Sequence, residues 1–270
     1  TTYSGSDYVM FSDTLSMYPV QDSEKWFEIP VVATNICDYD RSFGVEVDDK
    51  ASNAIEKKQY VVESNTVTIK AGERVAKFRM KGIYENIDKT DSLSVTFNLL
   101  AKDENVWDLY GTRTRVQMQK ACPFELSTFE GYCLLTSSFF SAYMTNTEHR
   151  LLQAERDKTE DNTIILHDFF YKNYDLKIKY DPSDPLKPFV EFDDQIIGST
   201  AEAFGTIYGN GKLMCTQPVA YDSYYNVCQK FVFLYSTIYV VGKGTVGTYV
   251  NILEWISDEE AEQYKKEEGL

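Results

Sequence analysis

The groups in this 270-residue chain able to do ordinary protein chemistry are two histidines, five cysteines and 42 acidic side chains. His149 lies in the polar stretch 145–150 and reads as a surface residue. His167 stands beside Asp168 in a strand pattern, and neighbouring strand residues point to opposite faces, so the two form no dyad. No G-x-S-x-G elbow, H-E-x-x-H pattern or phosphate loop occurs. Gly205, Gly209 and Gly211 lie in a β context and read as turn glycines. Glycoside hydrolysis needs only two carboxylates flanking a bond, and Asp193-Asp194 is the most conspicuous pair; its setting is that of a charged strand end. This inventory predicts a protein that is not an enzyme, with a carboxylate hydrolase as the least supported alternative.

The cysteines are Cys37, Cys122, Cys133, Cys215 and Cys228, with no C-x-x-C spacing, which argues against zinc. Cys215 with Cys228, or Cys122 with Cys133, could bridge across a hairpin in an exported protein; the preferred reading is that all five are small buried hydrophobes. The formal net charge of −15 repels phosphate backbones and anionic membranes, so nucleic acid is not expected as a partner. No apolar run is long enough for a membrane helix. The chain begins at Thr1 without Met, which suggests a removed leader.

The binding candidates are aromatic. The chain holds 20 Tyr and 16 Phe, and Tyr171, Tyr174, Tyr221, Tyr224 and Tyr225 fall near predicted turns of the second half. There they could stack on sugar rings or anchor a protein partner.

These side chains must be positioned by strands. Residues 60–100 show the pattern best. Val67 and Ile69 alternate with polar neighbours, Ala71-Gly72-Glu73 forms a turn, and Ala76, Phe78 and Met80 alternate in their turn. The reading is a core-forming hairpin, followed after a polar loop by Leu93, Val95, Phe97 and Leu99. Further strands are predicted at 8–11, 26–33, 43–47 and 114–118, about seven in all. Pro30 makes the second of these an edge or a bulged strand. Lys120-Ala121-Cys122-Pro123 reads as a joint, giving domains 1–122 and 123–270. Beyond it, strands are predicted at 131–137, 151–156, 163–169, 176–180, 189–192, 204–208, 212–216, 230–241 and 248–256, nine candidates that suit a small up-and-down barrel or a second sandwich of eight or so strands. Bulky inward Phe and Tyr would fill a small barrel. Ser257-Asp258-Glu259-Glu260 is a capping box that starts a C-terminal helix ending near Gly269.

The segment NTVTIKAGERVAKFRM, the acidic loop ENIDKTD and SLSVTFNLL together resemble the Calx-beta-like family of β-sandwiches. With the opening SDYVMFSDT and the aromatic meander, the chain looks like the two-domain surface lipoproteins of Bacteroidetes, many of them uncharacterised or labelled as adhesion proteins. That resemblance implies an all-β chain: an immunoglobulin-like sandwich followed by a lipocalin-like antiparallel barrel and a short helix. It implies location in the cell envelope, at the outer-membrane surface or facing the periplasm, with membrane attachment only through a lipid on a residue upstream of Thr1. It also implies a calcium site on the acidic loop, for which Glu85, Asp88 and Asp91 are the matching residues and to which Asp38, Asp40, Asp48 and Asp49 could add; here Asn86, Ile87, Lys89 and Thr90 separate the acids. No other cofactor is expected. The functional expectation is a non-enzymatic surface protein acting in adhesion or ligand binding, its partner a glycan or a surface protein. The alternative is a carbohydrate-binding module of a glycan-uptake system.

Overall fold

The computed structural model describes residues 5–107 and 111–270; Thr1 lies outside them. The chain divides into two compact units, one up to Cys122 and one over Pro123–Leu270.

The first unit is an immunoglobulin-like sandwich. Its strands are β1 (Val9–Phe11), β2 (Leu15–Val20), β3 (Phe27–Ala33), β4 (Arg41–Val47), β5 (Tyr60–Val62), β6 (Thr66–Ile69), β7 (Val75–Gly82), β8 (Leu93–Leu100) and β9 (Arg113–Lys120). One sheet has the order β1-β3-β7-β5 and the other β2-β9-β8-β4-β6. Among the described residues the strand ladders are antiparallel except that of β2 with β9, which run parallel. The inward positions of the period-two runs meet between the sheets: Ile29, Phe78 and Met80 from one, Ile69, Val95 and Phe97 from the other. Phe78 meets Phe97 edge to face at 4.9 Å.

Two expectations are corrected here. The run from Val67 to Met80 is not a hairpin, because β6 pairs with β4 whereas β7 pairs with β3 and β5. The turn at Gly72 carries the chain from one sheet to the other, so the apolar faces of β6 and β7 oppose each other across the core. Pro30 does not place β3 at a sheet edge. Its carbonyl accepts from the Ser12 N–H at 3.0 Å, just past the end of the three-residue β1. The missing donor therefore faces that strand's end, and the ladder to β7 is undisturbed.

The second unit holds β10 (Gly131–Ser137), α1 (Ser138–Tyr143), β11 (Arg150–Arg156), β12 (Thr163–Leu166), β13 (Leu176–Asp181), β14 (Phe189–Glu191), β15 (Gln195–Ser199), α2 (Thr200–Phe204), β16 (Lys212–Thr216), β17 (Ser223–Asn226), β18 (Phe231–Val240), β19 (Gly244–Trp255) and α3 (Asp258–Glu268). The order β18-β17-β14-β13-β12-β11-β10-β19 closes through the β18–β19 pairing into an eight-stranded antiparallel barrel. Strand β18 is long enough to serve two partners on one side. Its first residues pair with β17 and its last with β16. Where β15 and β13 fail to form a ladder, side chains bridge the seam: the Lys177 N–H donates to Gln195 Oε1 at 2.8 Å, and Gln195 Nε2 donates back to the Lys177 carbonyl at 2.9 Å. The barrel interior is filled by aromatic rings, Phe129, Phe139, Phe140, Phe169, Phe170 and Tyr180 all being buried.

The expected strand at 204–208 is instead the end of α2 and a turn. Ser199 caps α2 by accepting from the Glu202 N–H, and Gly205 ends it at φ +74. The C-terminal capping box forms as read: Ser257 and Glu260 bond reciprocally, and Gly269 closes α3 at φ +69. The cysteine pairings do not form as read. Cys37, Cys133 and Cys215 are free, and the two remaining, Cys122 and Cys228, are disulfide-bonded. Cys215 lies buried on β16, and Cys228 lies in the turn between β17 and β18.

Candidate functional site

A strand in a barrel wall buries one face and presents the other to water, and a polar outer face is the usual solution. In β18 the inward residues Val232, Leu234, Ser236, Ile238 and Val240 are buried, and the alternate ones are half-buried. Those outward positions begin Phe231, Phe233, Tyr235, so here the solvent face is aromatic as well. The neighbouring chain adds two more rings. Tyr224 lies opposite Phe233 on β17, and Tyr221 lies just before that strand.

These five rings form one continuous strip. Tyr221 stacks on Tyr235 at 5.0 Å and Tyr235 packs against Phe233 at 5.3 Å. Phe233 stacks on Tyr224 at 5.5 Å with 9° between planes, and Tyr224 meets Phe231 edge-on at 6.2 Å. Tyr221 is 52% exposed and Tyr224 38%. Cross-strand aromatic pairs of this kind stabilise a sheet, and that role accounts for the contacted ring faces. It leaves part of every ring in water, Phe231, Phe233 and Tyr235 being half-buried and Tyr221 and Tyr224 exposed, and contiguous exposed apolar surface marks interaction sites. Partial burial of Tyr224 pushes its phenol above the ordinary tyrosine value. Its flank includes Glu254, opposite Phe231 on β19.

Of the five tyrosines expected to bind ligand, two belong to this strip and three do not. Tyr224 and Tyr225 sit in a strand, not a turn, and strand alternation turns them to opposite faces. Tyr225 is therefore buried among Phe124, Phe129 and Tyr180, and burial raises its phenol to about 12. Tyr171 packs edge-on against Phe139, with its hydroxyl buried and unpartnered, and burial pushes it up to about 12. Tyr174 shapes the same loop through its backbone, its carbonyl accepting from the Phe169 N–H at 2.9 Å. Phe231, Phe233 and Tyr235 were missed. The available signal was FVFLY itself, apolar on both alternations where a barrel strand needs one apolar face.

The acids expected to hold calcium do not converge. Glu85 lies exposed in a short 3-10 turn (Tyr84–Asn86). Asp91 accepts from the Asp88 N–H at 2.9 Å, a local loop contact. Asp40 is engaged by Lys70 at 2.8 Å and by the Ala71 N–H, and Asp48 by Arg113 at 2.9 Å. Among the described residues no three His, Cys, Asp or Glu groups gather as metal ligands.

The histidines have structural partners. His149 Nδ1 lies 2.8 Å from the Thr136 hydroxyl. His167 is clamped between Asp175 at 3.0 Å and Glu155 at 3.3 Å. Burial alone would lower its pKa, but the bonds to those two carboxylates outweigh burial and hold it above the ordinary value. Asp193 and Asp194 do not act as a pair. Asp194 accepts from Thr216 Oγ1 and Tyr239 Oη, at 2.5 and 2.8 Å, whereas the Asp193 carbonyl accepts from Gln195 Nε2.

No curated protein matches this chain. Among solved structures it is similar to the apo form of the Calx CBD1 domain, with 17% identity over 44% of this chain and 100% of that one, at a TM-score of 0.35. It is also similar to a protein of unknown function from Bacteroides ovatus, with 9% identity over 91% and 89% of the two chains and a TM-score of 0.37. A third is a candidate carbohydrate binding protein from Bacteroides ovatus ATCC 8483, with 12% identity over 90% and 67% and a TM-score of 0.34. Residues 109–267, more than half of the chain, match the family described as "Domain of unknown function (DUF4984)", and the chain belongs to that family.

Proposed function

We propose that this is an exported, non-enzymatic binding protein of the cell envelope, which holds a neutral glycan against the aromatic strip of β17 and β18 in adhesion or capture. The carrying observation is the strip itself: five linked rings on the solvent side of a wall whose interior is already packed. Aromatic faces suit the C–H faces of sugars, and tyrosine hydroxyls supply polar contacts at the ring ends. The strip carries no cation, which favours an uncharged ligand over an anionic one. Cys122 and Cys228 are disulfide-bonded, which supports export, since such bonds persist in oxidising compartments. The partners of both histidines support a non-catalytic role.

The test is a glycan array followed by titration calorimetry on a bound sugar. Tyr224 is exposed, so Tyr224→Ala keeps the barrel folded and should weaken binding by about tenfold or more. An array without a hit, or a hit indifferent to Tyr224→Ala, refutes the proposal.

A further inference from the structure

The outward face of β18 does not end with its rings. After Tyr235 come Thr237 and Tyr239. Thr237 pairs with Thr216 on β16 and with Thr248 on β19, giving a row of three hydroxyl residues across the sheet. The Thr237 and Thr248 hydroxyls lie 2.8 Å apart. One position further, the Tyr239 hydroxyl donates to Asp194, which Thr216 also engages. Asp194, Thr216, Thr237, Tyr239, Lys243 and Thr245 line an open groove of about 650 Å³. The side-chain bonds from Thr216 and then Tyr239 hold the Asp194 carboxyl below the usual carboxylate range, so it is ionised. A carboxylate has about four acceptor positions, and these two donors leave about half of them for a ligand.

We propose that this groove is the second half of the glycan site, a hydrogen-bonding subsite in which Asp194 accepts from sugar hydroxyls of an oligosaccharide lying along β18. The inference rests on the glycan reading of the strip. From Phe231 to Tyr239 the strand extends roughly 26 Å at about 3.3 Å per residue, room for several sugar rings. The chemistry along that line passes from ring faces to hydroxyls to a carboxylate, matching a ligand that has apolar faces and many hydroxyl donors. A peptide strand has no place there, because β18 is paired on both sides, by β17 and β16 on one and by β19 on the other. A nucleic acid is disfavoured by Asp194 and Glu254.

The test uses xylo-, manno-, cello- and laminari-oligosaccharides, from disaccharide to hexasaccharide, titrated into the full chain. In the series that binds, affinity should rise with length. Tyr224→Ala should weaken binding by about tenfold or more at every length. Asp194→Asn and Tyr239→Phe should each weaken the hexasaccharide by about tenfold and leave the shortest bound member unchanged. Unchanged thermal midpoints show that the variants are folded. A hexasaccharide that is weakened by Tyr224→Ala but binds Asp194→Asn normally overturns the groove and leaves the strip standing. Absence of binding in all four series overturns both.

Discussion

Reduction of the disulfide should lower the melting midpoint of the barrel. Cys228, in the turn between β17 and β18, is disulfide-bonded, as is Cys122. Loss of a native disulfide costs about 2–4 kcal/mol at 25 °C. For a unit of this size 1 kcal/mol moves the midpoint by about 2–4 °C, so the reduced barrel should melt roughly 5–15 °C lower. Cys133 and Cys215 are fully buried free thiols, so a reductant does not act through them. Differential scanning calorimetry with and without reductant, repeated on Cys122→Ser and Cys228→Ser, should give one shift common to all three perturbations. A barrel shift below about 2 °C would refute the reasoning.

Phe78 is 3% exposed and packs against Phe97, so Phe78→Ala should destabilise the sandwich by about 3–5 kcal/mol in urea unfolding; a change below about 1 kcal/mol would show that the core closes over the gap. His167 has a raised pKa in the folded state, so its contribution is complete below its unfolded value of about 6.5 and is lost as pH rises through the folded value. Because the side chain is 36% exposed, the effect should stay under about 1 kcal/mol, and His167→Gln should remove it from a pH series of melting midpoints. Calcium at millimolar concentration should move the midpoint of chelator-treated protein by less than about 1 °C, since Glu85, Asp88 and Asp91 do not gather; a larger rise would place a site where none is drawn. Ser257→Ala removes the N-cap of α3, whose one buried residue is Ala261. It should speed amide exchange in the first turn of that helix, at a cost of about 1 kcal/mol.

What could be read from the residues was whatever burial writes as a period of two. Strands β7, β9 and β13 bury one alternation and leave the other at least partly exposed, and their patterns carry that directly; β8 alternates as clearly in sequence but buries Ser94 and Thr96 as well. Strand β2 was not legible because its exposed face is Leu15 and Met17 and its interior includes Pro19. Strand β17 was hidden by adjacent Tyr224 and Tyr225, alike in type but turned to opposite faces. The segment at 204–208 has strand-like composition, but Ser199 and Gly205 cap a helix across its start. That Cys122 and Cys228 are disulfide-bonded was not legible, because neither stands at a spacing that marks a bond. Two of the strip's five rings were named, Tyr221 and Tyr224. The rest lay in a strand whose existence was plain and whose outward face was not considered.

The placement of β6 and β7 in different sheets has a kinetic consequence. From β1 to β8 each successive strand enters the sheet its predecessor did not, so β8–β9 is the one pairing of sequence neighbours in the sandwich. Most of its ladders join distant segments, and loop-closure entropy must be overcome before they form. In the barrel, β10 through β14 pair in succession. The sandwich, which leaves the ribosome before the barrel, is thus the unit built for slower folding, and the meander behind it can acquire structure while the sandwich is still searching.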